Sequence, residues 1–180
     1  AVFLPFTVKT ERQGSLEVSA LLQGETVILR LRDPVGGNSA RVRVQRAAEQ
    51  LNALAWQGFA PEDVKVDGSR DKGARGPIAK LMVRQKPILT VDTQDAAAAQ
   101  STPRSLAEQW AARIRKAVTE PYLMLKTDRL EIPVGESRPL EYGGRPDTSC
   151  EPVSTNPEVA QATINRVERV VVLRGVGAGT

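Results

Sequence analysis

Pro121, Pro133, Pro139, Pro146, Pro152 and Pro157 crowd the last third of this chain. Each proline removes a backbone donor and crowds the preceding turn, so no helical period survives beyond Pro121. What remains is a series of short runs at Tyr122–Lys126, Arg129–Ile132, Pro139–Tyr142, Val159–Ile164 and Val170–Arg174. Runs of that length between turn residues describe a small all-β domain. The boundary is therefore expected at Glu120-Pro121, with one domain over residues 1–120 and a second over 121–180. The final Gly175-Val176-Gly177-Ala178-Gly179-Thr180 reads as a turn leading into a further strand. A second domain truncated there would leave an open sheet edge, and Val170, Val172 and Arg174 are the expected residues of that edge.

Helical periodicity is confined to the first 120 residues. In Ile88–Val118 a β-branched strand and a small-residue connection lead into a helix with Leu106, Trp110, Ile114, Ala117 and Val118 on one stripe. Thr102 and Pro103 supply its start, a capping hydroxyl followed by a proline whose fixed φ suits the first turn. A second amphipathic helix is expected from Ala40 to Gln57, capped by Asn38 or Ser39 and ended by Gly58. Val44, Ala47, Ala48, Leu51, Leu54 and Ala55 should face inward, and Arg41, Arg43, Arg46 and Glu49 outward.

Around these helices lie strand signals. Leu16, Val18, Ala20 and Leu22, then Val27, Leu29 and Leu31, alternate with other residues about Gln23-Gly24-Glu25, as in a hairpin with one buried face. Residues 1–15, interrupted by Pro5, can supply an edge strand or a tethered arm. Val64–Asp67, Lys80–Arg84 and Ile88–Val91 read as three more strands. The order β-β-α-β-β-β-α predicts an α+β domain with two helices on one face of an antiparallel sheet of four or five strands, followed by the small all-β domain.

Several function classes lose their residues at once. There is no histidine, which removes Ser-His and Cys-His nucleophiles, and Cys150 is the single cysteine, so neither an internal disulfide nor a zinc cluster can form. No cofactor is expected. Gly36-Gly37 and the Gly68–Gly76 segment lack the spacing of phosphate-binding loops and read as loops. Asp92 and Asp95 form the one close carboxylate pair at a strand-to-helix junction; as an enzyme site they would need a pocket, and cap chemistry explains them more simply. No apolar run approaches the roughly 20 residues of a membrane-spanning helix.

Charge is unevenly shared. Lys and Arg outnumber Asp and Glu by 18 to 13 in residues 1–120 and fall short by 7 to 8 in residues 121–180. The basic excess makes an anion- or anionic-lipid-binding module the alternative function, with Arg70, Lys72 and Arg75 as its loop candidates and peripheral lipid contact as its membrane role. Aromatic residues amount to 4% of the chain, too few for single-strand recognition by stacking, so nucleic acid is not the expected partner. Trp56, at the end of its helix beside Phe59, is either a cap on the core or a contact for a partner protein.

Two stretches carry resemblances. Arg46-Ala47, Val91, Asp95-Ala96, Leu106-Ala107 and Ile114 lie in a region, residues 42–118, that resembles an extracytoplasmic module of bacterial mechanosensitive-channel-like proteins. Pro133-Val134-Gly135-Glu136, Asn156-Pro157-Glu158-Val159-Ala160 and Gly175 with Gly179-Thr180 resemble the N-terminal β domain of pilus and secretion-system secretins, and equally bacterial Ig-like domains. These resemblances imply a periplasmic or cell-surface location and a scaffold role. The expectation is a non-enzymatic envelope assembly protein that pairs strand edges with an envelope partner or with itself.

Overall fold

The structure, a computed structural model, describes residues 3–32, 39–68, 72–73, 76–147 and 149–179. Its strands are β1 (Phe6–Gln13), β2 (Leu16–Gln23), β3 (Thr26–Leu31), β4 (Val64–Asp67), β5 (Lys72–Gly73), β6 (Gly76–Pro77), β7 (Ala79–Val83), β8 (Lys86–Val91), β9 (Tyr122–Leu125), β10 (Ser137–Arg145), β11 (Ala160–Asn165) and β12 (Val170–Gly175). Its helices are α1 (Ala40–Gln57), α2 (Thr93–Ala98) and α3 (Pro103–Ala117). The chain divides into an α+β unit, Leu4–Ala55 with Phe59–Glu120, and a β unit, Pro121–Thr180 with Ala1–Phe3 and Trp56–Gly58. The architecture is α+β, helices on antiparallel sheet followed by a small all-β sheet. Among the described residues no helix is long and apolar enough to cross a membrane.

Within the α+β unit the strands form two three-stranded antiparallel sheets, β1-β2-β3 and β4-β7-β8, plus the short β5-β6 ladder. They do not merge into the single sheet of four or five strands that the element order suggests. Both long helices begin where local chemistry starts them. Ser39 Oγ accepts the Val42 N–H at 3.2 Å, and Thr102 Oγ1 accepts the Ser105 N–H at 3.2 Å, each satisfying one orphan donor of a first turn. Asn38 lies outside the described residues. α1 ends before Gly58, whose φ of +81° is open to glycine. The apolar stripes are buried as their spacing requires: Val44, Ala47, Leu51 and Ala55 on α1, and Ala107, Trp110, Ala111 and Ile114 on α3.

Two inward-outward assignments differ from the alternation of the sequence. On β2 Val18, Ser19 and Leu21 are buried, while Ala20 and Leu22 are half-buried and Leu16 is exposed. On β3 Ile28, Leu29 and Leu31 are all buried. The cause is a register shift in which Leu21 pairs with Leu29 but Leu22 with Val27, leaving Ile28 as the extra residue of a bulge. A bulge breaks period two, and consecutive residues can then both face the core.

The β unit is a four-stranded sheet in the order β11-β12-β10-β9. The first half of β10 pairs with β12 and its second half with β9. Residues 129–132, expected as a strand, form none. One face gathers Ile164, Val171 and Leu140 across three strands and continues to Tyr142 and Leu125. Of these only Val171 and Tyr142 are buried. The opposite face carries Gln161, Thr163, Arg174, Ser137 and Glu141, all exposed.

Candidate functional site

Antiparallel sheets end in strands whose outward N–H and C=O groups need partners, and the two three-stranded sheets of the α+β unit have four such strands: β1, β3, β4 and β8. A helix side chain reaches each of them. Asn52 on α1 acts on β1 as a short stand-in for a strand, its Oδ1 accepting the Phe6 N–H at 2.7 Å and its Nδ2 donating to the Phe6 carbonyl at 2.8 Å. Arg113 on α3 donates from Nη1 to the Ile28 carbonyl of β3 at 3.1 Å, the carbonyl of the bulge residue itself. Arg115, two residues on, donates from Nε and Nη2 to the Val64 carbonyl of β4 at 3.1 and 2.9 Å. Arg43 on α1 donates from Nη2 to the Thr90 carbonyl of β8 at 2.7 Å.

Arg43 is the first residue where the charge reading of the sequence fails. It was placed on the outer side of α1, yet it is buried and its guanidinium forks onto Asp95, Nη1 to Oδ1 at 3.0 Å and Nη2 to Oδ2 at 2.7 Å. Asp95 Oδ2 also accepts the Asp92 N–H at 3.2 Å, and Asp92 Oδ1 accepts the N–H groups of Gln94 and Asp95 at 2.8 and 3.0 Å. The carboxylate pair thus forms a capping box that starts α2. Every bond named here is structural, and both Asp95 oxygens are engaged by the Arg43 guanidinium.

The β unit treats its outer strands differently. Val159 O accepts the Val176 N–H at 2.8 Å, which fixes the alternation along β11. Gln161, Thr163 and Asn165 bond inward to Arg174, Val172 and Val170, so Ala162 and Ile164 turn their N–H and C=O groups outward. Among the described residues no side chain meets those four groups. At the other end of the sheet the Leu123 carbonyl of β9 accepts the Phe3 N–H at 2.8 Å, so that edge is partly covered.

The expected edge residues are therefore misplaced. Val170 and Val172 are half-buried and Arg174 is exposed, but β12 is an interior strand, hydrogen-bonded to β11 on one side and β10 on the other. The last strand of the chain is not the last strand of the sheet; β11 is the outer one. Trp56 is half-buried, with its ring against Gly143, where a Cβ would have no room. It packs inside the β unit, which leaves it less available to a partner. Arg70 and Arg75 lie outside the described residues, and Lys72 is placed by its backbone in β5. The loop candidates for anion binding are not brought together by anything described.

A basic concavity that the sequence did not reveal lies elsewhere in the α+β unit. Arg30 of β3 and Arg113 of α3 flank a groove of about 530 Å³ that also takes in Val27, Leu106 and Trp110. Arg32 and Asp95 line a smaller hollow beside it, with Arg30 common to both. The signal for it was present as Arg30 near the end of β3 and Arg32 just past it, two residues apart, which reads as an ordinary solvated face.

A family model described as Domain of unknown function (DUF8459) matches residues 19–121. No curated protein and no solved structure matches the chain.

Proposed function

The chain belongs to the DUF8459 domain family, and on that premise we propose that it is a non-enzymatic assembly module whose β unit accepts a strand from a partner protein along β11. The observation that carries this reading is the contrast between edges. The four outer strands of the two three-stranded sheets in the α+β unit are each met at one residue by Asn52, Arg43, Arg113 or Arg115, which obstructs strand addition there. The outward groups of Ala162 and Ile164 form a short ladder ready for an incoming strand. The half-covered apolar face continues through Ile164, Val171 and Leu140, so an added strand with alternating apolar residues would bury side chains as well as satisfy backbone groups.

A scaffold role fits the lack of histidine and the structural use of Asp92 and Asp95. The resemblance of residues 128–180 to secretin N-terminal and Ig-like domains supports a periplasmic or cell-surface setting, with an envelope protein or a second copy as the partner.

The test uses the difference between inward and outward donors. Ala162→Pro removes an outward N–H and leaves the β11–β12 ladder intact, whereas Thr163→Pro removes a ladder bond. A photo-crosslinking residue at Gln161, in the full chain in its native cells, is expected to trap one defined partner. Ala162→Pro should abolish that adduct while the melting temperature stays near that of the parent. An adduct that persists in Ala162→Pro, or no adduct in any background, overturns the reading. An adduct of two copies of the chain identifies self-association.

A further inference from the structure

We infer that the groove between β3 and α3 is a binding site for a small amphipathic carboxylate, its head held by Arg30 and Arg113 and its apolar body laid on Val27 and Ala99. The volume of about 530 Å³ lies in the range of roughly 300–1,000 Å³ that small-molecule sites occupy.

Charge selects the head group. Arg30, Arg32 and Arg113 enter no ion pair among the described residues. Arg30 adds the smallest of the pulls on Glu11, whose carboxyl is held below its usual range first by the hydrogen bond and charge of Lys9. Among the described residues that line the two hollows the carboxylate is Asp95, and it is already paired with Arg43 at 2.7 Å. An anion entering the groove therefore meets guanidinium groups with no acid among the described lining residues, and a carboxylate matches their planar fork. Arg113 keeps most of its donors, since only Nη1 is used, on the Ile28 carbonyl.

Packing selects the rest of the ligand. Trp110 and Leu106 are only 3% and 4% exposed, so the apolar surface of the groove comes chiefly from the half-buried Val27 and the exposed Ala99. That surface offers an apolar chain contact beside a charged head, a combination that an inorganic anion would not use. The same Arg113 bond argues against an extended peptide. It occupies the outward carbonyl of Ile28 on β3, so a peptide strand cannot continue along that edge. A small free carboxylate needs no such edge.

Isothermal titration of the full chain with decanoate below its micelle concentration, at low salt, tests the site against decan-1-ol, a decapeptide with a free apolar C-terminus, and anionic vesicles. Saturable decanoate binding is expected, weakened at least tenfold by Arg30→Glu and blocked by Ala99→Trp, which fills the groove from a small exposed residue that lines both hollows. Circular dichroism of both variants should match the parent. Equal binding of decan-1-ol, tighter binding of the peptide, binding of vesicles without binding of monomeric decanoate, or decanoate affinity unchanged in both folded variants overturns the inference. None of these outcomes bears on β11, whose test depends on a crosslink in another unit.

Discussion

Arg43 on α1 and Asp95 on α2 are joined by two parallel hydrogen bonds of 3.0 and 2.7 Å, with side chains only 9% and 3% exposed. The third contact of the same guanidinium, to the Thr90 carbonyl at 2.7 Å, ties the pair to the edge of β8. Removing one member strands the other charge in the interior, which costs about 3–5 kcal/mol in comparable buried pairs. Arg43→Met is expected to lower stability by that order. Arg43→Lys keeps the charge but not the planar fork and should recover only part of the loss. In urea unfolding, the double variant Arg43→Met with Asp95→Asn should lose less than the sum of its single variants. Strict additivity would show that the two side chains are not energetically coupled.

Position 43 also shows what the sequence conceals. It stands three residues after the buried Ala40 and four before the buried Ala47, so helical spacing points it inward. Residue type points it outward, and the partner that resolves the conflict lies 52 positions away. The helix bounds were legible because Ser39, Gly58, Thr102 and Pro103 act within a turn of where they stand. The strand faces around Ile28 were not, since a bulge depends on the partner strand. Strand order is a longer-range property still, and placing β12 inside the sheet required knowing where β10 pairs. The sequence predicts a tight turn at Gln85-Lys86-Pro87 between Lys80–Arg84 and Ile88–Val91, and the structure makes it one residue earlier, between Val83 and Lys86. Arg84 and Gln85 both take positive φ, +47° and +65°, without the Asn-Gly signature of such turns. The groove at Arg30 arises from two elements, β3 and α3, whose proximity no local pattern records.

Asn52 offers a test of edge protection. Its amide makes both bonds to Phe6, so Asn52→Leu removes two hydrogen bonds worth roughly 0.5–1.5 kcal/mol each. The expected result is a destabilisation of about 1–3 kcal/mol by denaturant unfolding and faster association by light scattering, because β1 is then an unblocked edge. A variant that loses stability without any rise in association would separate the packing role of Asn52 from edge protection.

Gly144 and Gly135 both have positive φ, +98° and +86°, but differ in their surroundings. A Cβ on Gly144 would lie 2.7 Å from the Tyr122 carbonyl oxygen, while one on Gly135 would meet nothing within 4 Å. The Gly144 carbonyl also accepts Arg169 Nη2 at 2.6 Å, so the backbone has little freedom to retreat. Gly135→Ala should therefore cost only the left-handed conformation, roughly 1–2 kcal/mol. Gly144→Ala should cost clearly more and lower the melting temperature of the β unit further. Equal melting temperatures for the two variants would show that the Tyr122 contact relaxes without penalty.

Asp63 sets an acid-sensitive contact in the α+β unit. Its Oδ2 accepts the Ala60 N–H at 2.9 Å and Arg84 Nε at 3.1 Å, and the Arg84 N–H donates to the Asp63 carbonyl at 3.0 Å. The bond from Ala60 N–H is the main cause that holds the carboxyl below its ordinary range; burial opposes it, and the Arg84 hydrogen bond and charge add to it. In the unfolded chain the group titrates near its ordinary value of about 3.9. The unfolded state thus binds the proton first as pH falls, so this contact contributes its full stability above that value and loses it as pH drops through the lower folded value. Asp63→Asn is expected to be less stable than the parent at pH 7, with the difference shrinking below about pH 4. Chemical unfolding of both proteins from pH 7 to pH 2.5 measures it. A difference that stays constant over that range would mean the Asp63 carboxylate contributes through shape alone, and the strained Arg84-Gln85 turn would then be held by the backbone bond to Asp63 rather than by its charge.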